Sequence, residues 1–402
     1  MNTCYGQVFS HLWGVNEWEV MGFLLHIQKI NNGENKDTND KIPNEKEDGL
    51  KRPNNRRRYE LEQVIERNEN NYRDFTSDRK FGQKWPEYNE AQTKEKLVFY
   101  RLIKELLDII PNEKHNFGRP RKPIKEMLFC CIIKIYTNVS SRRLISELEL
   151  AKRAGYIHDV PHFNTILKYF EDDSVRIILE YLIPVSALPL KHVEDKFAID
   201  STGFGAYRFD RYFEAKYGEK TNLSRWRKCH AVCGIYTQVI TSAKLTGGNV
   251  ADIKLFEPLV NDTNKLFNIE QILADKAYLS RRNLDLVKKL GAMPYIPFKK
   301  NCTGNARGSK MWAMLYKMFT EQYLTFATEY HQRSNIETAW SMIKRKFGDF
   351  CRCRTPKSQD AEILCKVLCH NVVILVFEIF NRRLDIDFSR CQKYATAHKV
   401  RY

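Results

Sequence analysis

No apolar stretch in this 402-residue chain comes near the ~20 residues that a bilayer-spanning helix needs. Val372 to Phe377 and Met21 to Leu25, for example, are far shorter, so no membrane partner is expected. The start also lacks a basic region followed by an uninterrupted apolar core, the pattern of a secretory signal, and the protein is expected to stay in the cytoplasm. The eleven Cys lack the repeated two-residue spacing of a zinc site; Cys229 with Cys233, Cys351 with Cys353, and Cys365 with Cys369 and His370 are near misses. Most lie inside apolar segments, as Cys130 and Cys131 do, which suits thiols serving as small core residues in a reducing interior. No disulfide framework is implied.

Acidic residues are also short in number. Lys and Arg total 66 against 49 Asp and Glu, a net charge of +17. That excess makes an anionic partner the first expectation, nucleic acid ahead of membrane. The hydrophobic fraction of 43% is ordinary for a globular protein, and the length allows two or more domains with a sizeable core.

Tyr330 to Phe347 contains neither Gly nor Pro, and Ile336, Trp340, Ile343 and Phe347 recur at helical spacing. At about 100° per residue these four share a narrow stripe, with Tyr330, Arg333, Glu337 and Lys344 on the flank beside it. Taken alone, the grouping also describes a solvated helix face with Glu337 paired to Arg333 at i−4.

The spacing of Tyr330, Arg333, Glu337 and Lys344 resembles the signature of the DDE transposases of bacterial and archaeal insertion sequences. The resemblance implies that Glu337 is the third member of an Asp, Asp, Glu metal-binding triad. It also implies that Arg333 and Lys344 contact DNA backbone and that Tyr330 supports the same surface. Two further acids are then required upstream.

Before residue 96 the chain shows little that would fold. Residues 1–20 add no recognisable element, which makes Met21 a second candidate start. Residues 31–58 are dominated by Asn, Lys, Glu and Asp and close on Arg56, Arg57 and Arg58, a composition that cannot bury enough apolar surface to fold alone. Leu97 to Ile110 reads as a helix with a broad apolar face, ended by Pro111. Gly118, Arg119 and Pro120 then form either a basic loop or a short extended element suited to a narrow A·T minor groove, with Arg119 as its reader.

Residues 124–137, 141–154 and 162–170 read as three short helices. Their arrangement matches both plain helical packing and a helix-turn-helix unit; the resemblance favours DNA contact, through Asn164, Thr165 and Lys168. Pro184 and Pro189 mark a boundary, after which the periodicity turns to strand.

Phe197 to Asp200 is a short apolar run ending in an acid. A hairpin over His230 to Leu245 turns around Tyr236 to Gln238. A helix follows from Val250 to Lys265 with Ile253, Phe256, Leu259 and Val260 inward. A second buried strand, Ile269 to Asp275, also ends in an acid, and a helix over Ser280 to Leu290 and a strand over Met293 to Phe298 come next. Three strands, helix, strand, helix, strand, helix is the order of an RNase H-like fold. In such a sheet the first and fourth strands are adjacent, which would set Asp200 beside Asp275, and the segments AIDSTGF and LADKAYLSRRNL also resemble the family's. Lys299, Lys300 and Trp312 follow; Trp312 either stacks on an unpaired base or is buried on an amphipathic helix. The last helix, Gln359 to Phe380, is expected to turn Leu364, Leu368, Val372, Leu375 and Ile379 inward as scaffold.

The expected class is α/β: an RNase H-like mixed sheet flanked by helices over 191–385, preceded by an all-helical DNA-binding domain over 96–190 and a polar region over 1–95, and followed by a basic tail over 386–402. The resemblance implies a metal-dependent transposase that binds terminal inverted repeats, cuts there and transfers the 3′ ends to target DNA. Two Mg²⁺ ions, with Mn²⁺ as a substitute, would be held by Asp200, Asp275 and Glu337. Double-stranded DNA is the partner, and a homodimer on paired ends is implied. A remnant that only binds DNA, and a nuclease of the same fold without strand transfer, remain as alternatives.

Overall fold

The computed structural model of the protein describes residues 84–111, 121–206, 226–300 and 302–391. The polar start with Arg56–Arg58, the element around Arg119 and the tail from 392 lie outside the described residues.

Helices fill the first part of the described residues. α1 (Trp85–Asp108) begins well before Leu97, with Pro86 in its first turn, where a missing N–H costs nothing. Phe99, Leu102, Ile103 and Leu106 define its buried face, and Leu97, expected on that face, points out at 73% exposure. α2 (Ile124–Thr137), α3 (Leu144–Arg153) and α4 (Phe163–Tyr169) fall where the periodicity places them. α5 (Asp173–Ala187) is a difference: the sequence reading sets a boundary at Pro184, yet the helix runs through it. Losing one backbone bond at Pro184 is offset by burying Val175, Ile178, Leu179, Leu182 and Ile183, each worth about 1.5–3 kcal/mol against exposure.

The sheet has the order β3-β2-β1-β4-β5. β1 (Lys196–Gly205) is central; β2 (Trp226–Gly234) and β3 (Ile240–Gly247) follow antiparallel, and β4 (Gln271–Ala274) and β5 (Met293–Tyr295) run parallel to β1. α6 (Ile253–Asn264) connects β3 to β4, and α7 (Arg281–Lys289) connects β4 to β5. This is the mixed sheet of an RNase H-like fold. Phe256, Leu259 and Val260 of α6 are buried, whereas Ile253 in its first turn is 37% exposed, contrary to expectation.

β1 is longer than its apolar run. The hairpin partner β2 pairs with it as far as Gly205, while β4 stops opposite Ile199. Asp200 therefore lies inside a strand rather than at its end, at the point where β1 loses its partner on one side.

After β5 come α8 (Lys310–Glu321) and α9 (Tyr323–Tyr330), then a tight turn at His331–Arg333, then α10 (Ser334–Phe347). The expected single helix over 330–347 is thus broken: Tyr330 ends α9 and Glu337 sits in the first turn of α10. The apolar stripe holds, with Ile336, Trp340, Ile343 and Phe347 all buried. Gly348 ends α10 at φ +88, a backbone region that a Cβ disfavours.

α11 (Pro356–Arg382) starts on a capping box between Thr355 and Ser358. It packs against α1, α2 and α5 on one side and against β2, β3 and α10 on the other. The expected one-sided scaffold is therefore a helix buried nearly all round, with Ile379 one of its few half-buried residues. Its length and apolarity would suffice to cross a bilayer, but most of it lies inside the protein. Nine described cysteines are free, and Cys130, Cys131, Cys365 and Cys369 are buried.

Candidate active site

Backbone register brings the two aspartates together. Ile199 pairs with Ala274 across β1 and β4, so Asp200 and Asp275 are the next residue on each parallel strand. Asp275 is held in turn by its own loop: its Oδ1 accepts the Ala277 N–H at 2.8 Å and its carbonyl accepts the Tyr278 N–H at 3.1 Å.

The loop between α10 and α11 fixes the third acid relative to β1. The Gly205 N–H donates to Asp349 O (3.0 Å) and Gly205 O accepts the Cys351 N–H (2.7 Å), stitching that loop to the end of β1. From α11, Lys366 Nζ donates to Gly348 O (3.0 Å) and Phe350 O (2.7 Å), and the Glu362 carboxylate accepts the N–H groups of Arg352 and Cys353. With its C-terminal end so held, α10 lays its first turn beside Asp200.

There the charges converge. Arg333 Nη2 donates to Glu337 Oε1, and its guanidinium carbon stands 6.0 Å from the centre of the Tyr330 ring. Burial alone would lower the Arg333 pKa, but Glu337, Tyr330 and Asp200 together raise it. For Asp200, burial is the main cause of a carboxyl pushed up to about 7; Arg333 opposes the shift, Glu337 and Asp275 add to it, and the Ser201 N–H opposes it. Burial raises Tyr330 as well, against Arg333 and with Asp275 and Glu337. Lys344 is lowered by burial, against the pull of Asp349 and Asp200, and its ammonium lies 5.5 Å over the Phe204 ring. Asp200, Asp275, Glu337, Arg333, Tyr330 and Lys344 thus form one electrostatic cluster at one edge of the sheet.

The remaining candidates lie apart from it. Lys299 and Lys300 are exposed beyond β5, which runs parallel to β1 and β4, so the chain leaves β5 toward the edge that carries the acids. Trp312 is buried: its Nε1 donates to Thr303 O (2.8 Å), Phe298 meets it edge-on at 4.9 Å, and the Arg281 guanidinium covers the ring at 4.1 Å. No open face is left for a base in this arrangement. Asn164 and Lys168 are exposed one turn apart on α4, which packs on α2 and away from the acids.

Sequence reasoning missed Asp252, at the start of α6. Its Oδ1 accepts from Ser201 Oγ (2.9 Å) and pairs with Lys228 Nζ (2.5 Å); His230 Nδ1 stands 3.2 Å from the same oxygen. Burial lowers the His230 pKa to about 4, so Lys228 is the charge that balances Asp252. His370 and Asn371 are scaffold: His370 Nε2 meets Gln238 O at 2.8 Å, and Asn371 ties β3 to α5.

Among the described residues no three His, Cys, Asp or Glu side chains are gathered closely enough to enclose one ion, Glu337 being turned to Arg333 and Asp275 to its own loop. The donor set nevertheless suits a hard divalent cation, being three carboxylates with no thiol or imidazole among them. It surrounds an Asp200 whose burial disfavours its own charge, which a cation would relieve.

The sheet thus sets two aspartates side by side on adjacent strands, and α10 brings a glutamate to the same edge. Residues 191–372 match the family model of the transposase DDE domain. A probable transposase for insertion sequence element ISA1214 from Archaeoglobus fulgidus is similar to the chain, at 25% identity over 298 residues, covering 72% of the chain and 88% of that protein.

Proposed function

We propose that the protein is an insertion-sequence transposase that binds the terminal inverted repeats of its element, cuts phosphodiester bonds there and joins the freed 3′ ends to target DNA. The observation that carries this reading is the register of β1 and β4, which sets Asp200 beside Asp275 at the edge where Glu337 also lies. Divalent cations, Mg²⁺ or Mn²⁺, would supply charge stabilisation to both the attacking and the leaving oxygen of an in-line displacement, as two-metal sites do.

Asp200, Asp275 and Glu337 would hold the cations, with Asp200 central because it faces both of the others. Arg333 donates to Glu337 and is influenced by Asp200; were cations held by the acids, its fork could instead grip a phosphate of the scissile strand. Lys344, on α10 with Glu337 and under the influence of Asp200, would add a second phosphate contact. Lys299 and Lys300, with Asn164 and Lys168 on the separate helical face, extend the DNA path, and two copies would act on paired ends.

Cleavage and strand transfer on a labelled duplex carrying the element's own ends, with Mg²⁺ or Mn²⁺, test this reading. Metal-dependent cuts and joined products are expected from the parent protein and not from Glu337→Gln. Cuts without joined products would make it a nuclease, and equal binding by both proteins without cutting would make it a DNA-binding remnant.

A further inference from the structure

Asp252 opens α6 without capping it. An Asp just before the first turn of a helix ordinarily accepts an N–H of that helix, but Asp252 makes no such side-chain bond and turns its carboxylate to the sheet. Its Oδ1 gathers the strands there. Ser201 Oγ of β1 donates to it at 2.9 Å, Lys228 Nζ of β2 pairs with it at 2.5 Å, and His230 Nδ1 of β2 stands 3.2 Å away. The other ring nitrogen of His230 meets Thr246 Oγ1 of β3 at 2.8 Å, which brings in a third strand. Register explains the gathering: Ser201 lies opposite His230, and Lys228 lies between Gly203 of β1 and Thr246 of β3.

What this hub fastens is β1 where its support is thinnest. β1 has a strand on both sides only as far as Ile199, where its pairing with β4 ends. Among the described residues, the next backbone bonds it makes outside β2 are those of Gly205 to Asp349 and Cys351. Asp200 and Ser201 begin the stretch between, where β2 alone supplies a ladder. A strand paired on one side can swivel about that ladder. A side-chain bond from a helix packed on the face of the sheet removes the freedom.

We propose that Asp252 is a positioning residue of the cation site: through Ser201 it fixes the β1 backbone behind Asp200, and so holds the Asp200 carboxylate in place for a divalent cation. The inference rests on the acid triad being a cation site, as proposed above. Ser201 follows Asp200 along β1 and points to the opposite face of the sheet, so the link acts from behind, through the backbone. Groups that hold a metal ligand in place without touching the metal are typically worth about 10–100-fold in affinity.

The test is Mn²⁺ binding, by calorimetry, to the full chain and to Ser201→Ala, Asp252→Ala, the two combined, and Asp200→Asn, with the melting temperature of each metal-free protein. The parent should show saturable binding that Asp200→Asn abolishes. Ser201→Ala and Asp252→Ala should each weaken that binding about 10-fold. The double variant should bind like Asp252→Ala, because both changes cut one link. Asp252→Ala also strips Lys228 of its counter-charge and should melt lower; Ser201→Ala removes only the tie to β1 and decides the matter alone if Asp252→Ala does not fold. Unchanged Mn²⁺ affinity in Ser201→Ala, whatever its melting temperature, overturns the inference, since the link would then serve stability only. A double variant whose loss is the product of the two single losses also overturns it. Both results leave the triad reading intact. Absence of Mn²⁺ binding that depends on Asp200 overturns the triad reading, and this inference with it.

Discussion

Asn371 and Ile240 bond to each other twice: Asn371 Oδ1 accepts the Ile240 N–H at 2.8 Å, and Asn371 Nδ2 donates to the Ile240 carbonyl at 2.7 Å. A side chain of α11 thus completes the start of β3 as a neighbouring strand would. The same Nδ2 reaches Ile183 O (3.2 Å) and Ser186 Oγ (2.9 Å) of α5, so one fully buried amide joins three elements.

Replacing Asn371 by Leu leaves the buried Ile240 N–H and carbonyl unpaired together. At about 1–3 kcal/mol for each unsatisfied group, the variant should lose roughly 3 kcal/mol or more of stability. Urea denaturation followed by circular dichroism reads this; a loss below about 1 kcal/mol would mean that water or a local shift replaces the amide.

His370 gives the protein a dependence on acid. Burial lowers its pKa to about 4, against an ordinary 6.5. The unfolded chain therefore takes up a proton below pH 6.5 that the folded protein refuses until about pH 4, and stability from this group is lost as pH falls through that window. His370→Gln keeps a donor for Gln238 O and removes the titration. The parent's stability relative to this variant should fall between pH 7 and pH 4.5 by up to about 3 kcal/mol, at 1.36 kcal/mol per unit. Denaturant melts at the two pH values measure it, and a difference that does not change with pH would exclude this cause.

Lys366, 1% exposed, holds both Gly348 O and Phe350 O and lies 3.5 Å from Glu362. Lys366→Met strips two half-buried carbonyls of their donor and leaves the buried Glu362 without its counter-charge, a change that should cost about 3–5 kcal/mol. Hydrogen exchange should rise first in the loop from 348 to 353. If it rises evenly across the protein, the loop is not what Lys366 secures.

Lys344 separates affinity from folding. As a proposed phosphate contact, it should on replacement by Ala weaken DNA binding for all sequences alike and reduce the slope of log K against log salt by about 1. Its ammonium lies over Phe204 and makes no ion pair among the described residues, so the melting temperature should change little. Filter binding across a salt series reads the slope; an unchanged slope would remove Lys344 from the DNA path.

Much of this was legible in the sequence because the signals are local. Ile336, Trp340, Ile343 and Phe347 mark a buried helix face, and two apolar runs ending in Asp200 and Asp275 mark adjacent strands. What could not be read depends on distant partners. β1 runs past Asp200 because β2 pairs that far, and α5 passes through Pro184 because α11 and β3 bury its apolar side. The break between Tyr330 and Ser334 leaves no mark in composition. Trp312 looked the same whether buried or offered to DNA until Arg281 and Phe298 were seen to cover it.

α11 closes the apolar groove of α1, α2 and α5, yet it begins about 170 residues after α5 ends, from Ala187 to Pro356. At roughly 5–20 residues per second, a ribosome takes on the order of ten to thirty seconds to cover that distance. During that time the earliest helices are made but lack their central wall. Shortening the chain before residue 356 should therefore leave a sticky nascent product rather than a smaller working unit, and how well the protein accumulates in a cell will depend on what shields that groove while synthesis finishes.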